Sequence, residues 1–191
     1  MLPATSSHDL IERFRQGDQS AFETLFENYK PRLAVLLHYR MGPELHAVAE
    51  VDDLLQDTFL AASRDLASFS YRGPGSFFRW LAEIAAHVVA DAARYHHRDK
   101  RRGDHTRFRS ESNPLGPEPA VTRTPSRIFA ENERLAQLLA RLNELPPDYR
   151  QVIVLAKIEG LATIEIAARM ERSRENVALL LHRALKRLRT P

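Results

Sequence analysis

The sequence predicts an all-α protein: two small helical domains joined by an extended linker. Apolar residues recur at three- and four-residue spacing, and no stretch shows the two-residue alternation of a half-buried strand. Helix-opening and helix-stopping residues bracket the apolar runs. In the middle, Asn113-Pro114, Gly116-Pro117, Pro119 and Pro125 sit among Ser, Thr and Arg with almost no large apolar side chain, the composition of a linker. These shifts place the boundaries at residues 8–102, 103–127 and 128–191. With 191 residues, 43% hydrophobic and 28% charged, the chain can form an ordered core in each domain.

The elements follow in order. Asp9 to Gln16 reads as a short helix stopped at Gly17-Asp18. Ser20-Ala21-Phe22-Glu23 has the form of a capping box, opening a helix with Phe22, Leu25, Phe26 and Tyr29 on its apolar face. Pro31 either lies inside that helix or begins its continuation to Tyr39, and Met41-Gly42-Pro43 breaks the pattern. A helix from Val51 to Leu66 opens with acidic residues, which suit the positive end of its dipole, and buries Leu54, Leu55, Thr58, Phe59 and Ala62. Ser68 to Gly75 is a loop, since Gly73-Pro74-Gly75 rules out regular structure. A long helix runs from Ser76 to Arg98 with Phe77, Trp80, Leu81, Ile84 and Val88 on one side. After the linker, Leu135, Leu138, Leu139, Leu142 and Leu145 form a second amphipathic face.

The C-terminal stretch has the form of a helix-turn-helix. An apolar helix from Gln151 to Ile158 is followed by Glu159-Gly160-Leu161, a short helix that Thr163 can cap, a break at Glu171-Arg172-Ser173, and a long basic helix to Leu188. Ser173 can accept the first amides of that last helix. Val177, Leu181, Ala184, Leu185 and Leu188 share one face, while Glu175, Asn176, Leu179, His182, Arg183 and Lys186 share the other. Such a helix suits the DNA major groove.

Charge and composition narrow the function. The net charge is only +3, yet Arg94, Arg98, Lys100, Arg101, Arg102, Arg107 and Arg109 cluster against Asp99 and Asp104 alone, and a second basic group closes the chain. Two basic groups separated by a neutral span suggest two contacts on one polyanion. No cysteine is present, which excludes disulfides and thiolate metal sites and suits a reducing cytoplasm. Met1 to Ser7 lacks the basic start and apolar run of a signal peptide, and Ile84 to Ala93 is too short to span a bilayer, so neither secretion nor membrane insertion is expected. His87 and Asp91 lie four apart on one helix, but no converging ligands, nucleophile elbow or phosphate-binding glycine loop accompanies them. The expectation is no catalytic residue, no metal, no cofactor and no enzymatic activity.

Taken together and in order, these pieces resemble the extracytoplasmic-function (ECF) sigma factors, the compact promoter-recognition subunits of bacterial RNA polymerase. Gly17-Asp18-Gln19-Ser20-Ala21-Phe22-Glu23 resembles the opening of region 2, and Asp52 to Leu60 its polymerase-binding motif. Phe69 through Phe77, with Trp80-Leu81 and Ile84-Ala85, resembles the segment that melts the −10 element. Leu145-Pro146-Pro147, Tyr149-Arg150, Glu159-Gly160-Leu161, Glu165-Ile166-Ala167 and His182-Arg183-Ala184 resemble region 4. Four such segments in the right order are far more specific than any one of them.

The resemblance implies partners and sites. Asp52, Asp53, Leu54, Leu55, Gln56, Asp57 and Phe59 would meet the coiled-coil clamp helices of core RNA polymerase. Tyr71, Arg72, Ser76 and His87 would capture an unstacked −10 base, and Arg94, Arg98, Lys100 and Arg101 would hold phosphates. Arg172, Ser173, Arg174, Asn176, Ala178, Leu179, His182, Arg183 and Lys186 would read the −35 duplex. The linker would hold the domains apart along polymerase, and an anti-sigma factor is a further candidate partner. The chain departs from the family pattern at His87, where asparagine is usual, at Ala178-Leu179, where polar or basic residues are, at Leu180, where arginine is common, and at Glu171, where a glycine-like turn residue would be easier. The competing reading of the same residues is a free-standing helix-turn-helix regulator, which predicts dimers and palindromic sites. The acidic motif and the melting loop count against it.

Overall fold

The computed structural model describes residues 6–107 and 126–189, with side chains described up to Arg98 and again from Ser126. Most of the predicted linker, 103–127, lies outside the described residues. Among those described there are helices and no strand.

The first helix, α1 (Ser7–Arg15), is opened by a reciprocal capping box in which Ser6 and Asp9 each accept the other's backbone N–H at 3.2 Å. Gly17, at φ 95°, turns the chain out of it. Capping of the next helix, α2 (Gln19–Arg40), corrects the expectation from sequence: Asp18, not Ser20, is the cap. Asp18 Oδ1 accepts from the Ser20 amide at 3.0 Å and from the Ser20 hydroxyl at 2.6 Å. The Ser20 hydroxyl and the Arg13 guanidinium together hold the Asp18 carboxyl down at about 2. Pro31 sits inside α2, which continues through it. The run Leu33 to Leu37 is buried on every side, so α2 is the axle of the N-terminal bundle, packed by α1 and by the two long helices that follow, Val51–Asp65 and Ser76–Arg107.

After the single turn α3 (Pro43–His46) comes α4 (Val51–Asp65), whose buried residues include all five predicted ones, Leu54, Leu55, Thr58, Phe59 and Ala62. The buried Thr58 hydroxyl donates back to the Leu54 carbonyl at 2.6 Å, so this polar group in the core is satisfied. The last helix of the bundle, α5 (Ser76–Arg107), extends past the expected end at Arg98. Phe78, unassigned in the sequence reading, is its most buried aromatic, and the Arg32 guanidinium lies 3.7 Å above its ring.

The C-terminal half contains α6 (Arg127–Ala130), α7 (Glu133–Asn143), α8 (Pro147–Ile153), α9 (Thr163–Arg169) and α10 (Arg174–Arg189). Asn132 caps α7, accepting from the Leu135 amide at 3.1 Å. The helix expected to start at Gln151 begins at Pro147, and it widens into a π-turn over Val154–Glu159 before Gly160, at φ 76°, ends it. Thr163 is not a cap: it is the first residue of α9, and Glu165 reaches back to the Ala162 amide at 2.6 Å. Ser173 does what its position predicts, accepting from the Asn176 amide at 3.2 Å.

The two halves touch. Arg32 Nε donates to the Ile158 carbonyl at 2.8 Å, and the Tyr39 hydroxyl to Asn143 Oδ1 at 3.1 Å. Burial keeps the Tyr39 hydroxyl protonated beyond the usual phenol range. At the centre, one oxygen of Glu159 is shared by Arg40 at 3.0 Å and Arg169 at 2.8 Å.

Candidate functional site

Three surfaces carry the candidate residues. On α4 the apolar stripe faces the core, which leaves Asp53, Gln56 and Asp57 exposed, with Leu60 half exposed beside them. This corrects part of the expected contact set, because Leu54, Leu55 and Phe59 are buried within the bundle. The apolar group available to a partner there is Leu60, one turn beyond Gln56 and Asp57. Its exposure was readable from the helical period, since it falls opposite Leu54 and Leu55. Asp52 is already engaged. Its carboxylate accepts from the amides of Arg127 and Ile128 at 2.8 and 3.2 Å and from the Ser126 hydroxyl, so it serves as the cap of α6.

The second surface is the loop before α5. Gly73 and Gly75 adopt φ values of 102° and 81°, which a side chain resists. Ser76 is bound within the loop: its hydroxyl donates to the Gly73 carbonyl at 2.7 Å and accepts from the Arg72 amide at 3.2 Å. Ser76 therefore builds the loop, and the groups it leaves for a ligand are Tyr71 and Arg72. Tyr71 stacks on His8 of α1, with ring centroids 4.8 Å apart. The Phe69 carbonyl is held by Arg15. His87 is exposed but lies about 16 Å along α5 from Ser76, at 1.5 Å per residue, so the structure does not bring it to the loop. It instead shares an exposed face of α5 with Asp91, Arg94 and Arg98, and Arg94 is paired with Asp91. Side chains at Lys100 and Arg101 lie outside those described.

The third surface is α10 and the turn before it. Glu171 takes a left-handed φ of 53°, the one non-glycine among the described residues to do so. Arg172 is pinned to Asp148 of α8 at 2.5 Å, which ties the turn to the helix behind it. Val177 and Ala184 are buried and Leu180, Leu181, Leu185 and Leu188 pack on the core, as the period predicts. The outward face brings together Arg174, Asn176, Ala178, Leu179, His182, Arg183 and Lys186. Leu179 is 48% exposed, and Ile164 on α9 is a further exposed apolar residue that the sequence reading did not single out. Among the described residues no group of three or more His, Cys, Asp or Glu side chains converges on a metal site.

An acidic, partner-sized edge, an ordered glycine loop and a basic helix-turn-helix thus occur on one chain. A family model described as "ECF sigma factor" matches residues 5–190. The chain belongs to the ECF sigma factor family. Its relatives include the sigma factor CarQ of Myxococcus xanthus, 35% identical over 182 residues that cover 94% of this chain and 93% of CarQ. The sigma factor BldN of Streptomyces coelicolor is 30% identical over 182 residues, and the match spans 94% of this chain but 63% of BldN's length. The sigma-E factor of Escherichia coli is 32% identical over 163 residues, covering 85% and 81% of the two chains. Among solved structures, CnrH in complex with the cytosolic domain of CnrY is 28% identical, with 94% of this chain and 92% of that one covered and a TM-score of 0.45. No helix among the described residues of this sigma factor is long and apolar enough to cross a membrane.

Proposed function

We propose that this sigma factor binds core RNA polymerase in the cytoplasm and directs promoter-specific initiation, with a non-catalytic role. The carrying observation is the exposed edge of α4. Asp53, Gln56 and Asp57 stand clear of the core while Val51, Leu54, Leu55, Thr58, Phe59 and Ala62 are buried in it, so these polar groups contribute to docking without being needed for folding. Exposed charges of this kind govern encounter rate and register. Leu60 supplies the apolar contact that the buried leucines cannot.

In the same reading, Tyr71 and Arg72 meet the unstacked −10 strand, the α5 face from His87 to Arg98 follows the backbone, and α10 reads the −35 duplex. There Arg174, Asn176, His182 and Arg183 supply hydrogen bonds and charge, and Leu179 suits a thymine methyl. The test is size-exclusion chromatography of the protein with core polymerase at moderate salt. A one-to-one complex is expected, and Asp53→Lys with Asp57→Lys should abolish it. Specific duplex binding with no polymerase complex would point instead to an autonomous regulator.

A further inference from the structure

Glu175 is the single acid of α10, on a helix that otherwise presents Arg174, His182, Arg183 and Lys186 outward. At 100° per residue it falls directly opposite the buried Val177 and Ala184, in line with Leu179 one turn further on. An acid in the first turn of a helix suits the dipole. That accounts for a carboxylate at this end of α10 but not for its isolation. Side chains three and four residues away are the ones that can neutralise a charge on a helix. Ahead of Glu175 these are Ala178 and Leu179, neither of them charged. Behind it Glu171 has the same sign, and Arg172 is taken by Asp148 at 2.5 Å. Among the described residues the Glu175 carboxylate has no ion pair or hydrogen bond, and it is exposed, so in the free chain it faces water.

A recognition helix seated in the major groove turns its first residues toward the base edges. A carboxylate placed there is repelled by the phosphates and needs a donor. Guanine offers the acceptors N7 and O6, and thymine the acceptor O4. Adenine sets its N6 donor beside the N7 acceptor, whereas cytosine offers its N4 amine alone. Leu179 borders the same position and excludes water from one side of it. A base without a free donor therefore leaves the carboxylate desolvated and unpaired, so discrimination comes from rejection as well as attraction.

We propose that Glu175 is a specificity-determining residue of α10 and reads one cytosine of the −35 duplex, accepting a hydrogen bond from its N4 amine. The inference rests on the proposed reading of that duplex by α10. The absence of a cation at Ala178 and Leu179 belongs to the same device: a lysine or arginine at either position would pair with Glu175 and occupy the oxygen that cytosine uses.

The test is selection of duplexes randomised across the −35 region by holoenzyme assembled from core polymerase and the full chain. The parent should favour cytosine at one position by about tenfold over the other bases. Glu175→Ala should level that position and leave the remaining preferences intact. Glu175→Gln should move it to adenine, whose N6 and N7 suit an amide. Both variants should bind unselected duplex at least as tightly as the parent, because a charge of the same sign as the phosphates has gone. Preferences in Glu175→Ala equal to the parent's at every position overturn the proposal. Binding weakened alike at all positions also overturns it, since that is the mark of a residue that only steadies the helix. A Glu175-dependent position at which the parent prefers a base other than cytosine does so as well. If the parent forms no complex with core polymerase, the sigma reading fails by itself. The same selection with the full chain alone then decides the role of Glu175 by the same outcomes, and a parent chain that selects no sequence overturns it.

Discussion

Glu171 offers a clean measure of how far the turn of the helix-turn-helix is strained. Its φ of 53° places a side chain where an L-residue meets its own carbonyl, at a cost of ~1–2 kcal/mol. Glycine removes that cost but gives back ~0.5–1 kcal/mol through the freedom it gains in the unfolded chain. The Glu171 side chain is exposed, so its loss subtracts little. Glu171→Gly should therefore stabilise the protein by about 0.5–1 kcal/mol, which for a chain of this size is about 1–4 °C in Tm. Glu171→Ala keeps the Cβ and should show no gain. Thermal unfolding followed by circular dichroism compares the three proteins directly. A glycine variant that melts no higher than the alanine variant would refute the reasoning, because it would mean that the turn carries no strain to relieve.

Other expectations concern core, charge and pH. Phe78→Ala empties a fully buried site and removes the ring beneath Arg32, and urea unfolding should show a loss of about 3–5 kcal/mol. Arg183→Ala should weaken polymerase holoenzyme binding to a −35 duplex and reduce the slope of log K against log salt by about 0.9, the value of one phosphate contact; an unchanged slope would remove Arg183 from the backbone contacts. His38, packed edge-on against Phe129, is pushed down from 6.5 to about 4 by burial first, and then by His46 and Arg150. Its folded form binds fewer protons than its unfolded form between those values. Stability is thus complete above pH 6.5 and declines as pH falls towards 4. Tm against pH should flatten over that window in His38→Gln, and an equally steep fall would assign the effect to other groups.

Helical period carried most of what was legible. The buried stripe of α4 and the inward face of α10 follow from spacing alone, because each helix presents one side to a core. The same period also places Leu54, Leu55 and Phe59 on the core side of α4, away from its exposed edge. Capping was legible where one candidate stood alone, as at Ser173. It was ambiguous at Asp18 and Ser20, two good caps two residues apart, where the left-handed Gly17 decides by delivering the chain to Asp18. Contacts made between residues far apart in the chain leave no local trace. Nothing near Asp52 announces that it caps α6, and nothing near Glu159 announces Arg40. His87 shows what distance along a helix decides: it lies about three turns beyond Ser76, on the exposed face of α5 rather than in the loop.

The π-turn at Val154–Glu159 has a bearing on how this stretch tolerates changes in length. A π-turn accommodates one residue more than an α-helical turn would hold. Deleting a single residue among Leu155, Ala156 and Lys157 can be absorbed by relaxation to ordinary α-helix, leaving Gly160 and the following helix in register. Inserting one has no such reserve, since the turn is already at its widest. It would rotate Ile158 and Glu159 by about 100° away from Arg32 and Arg40. Indel tolerance in this segment should therefore be one-sided, with deletions surviving where insertions of the same size do not.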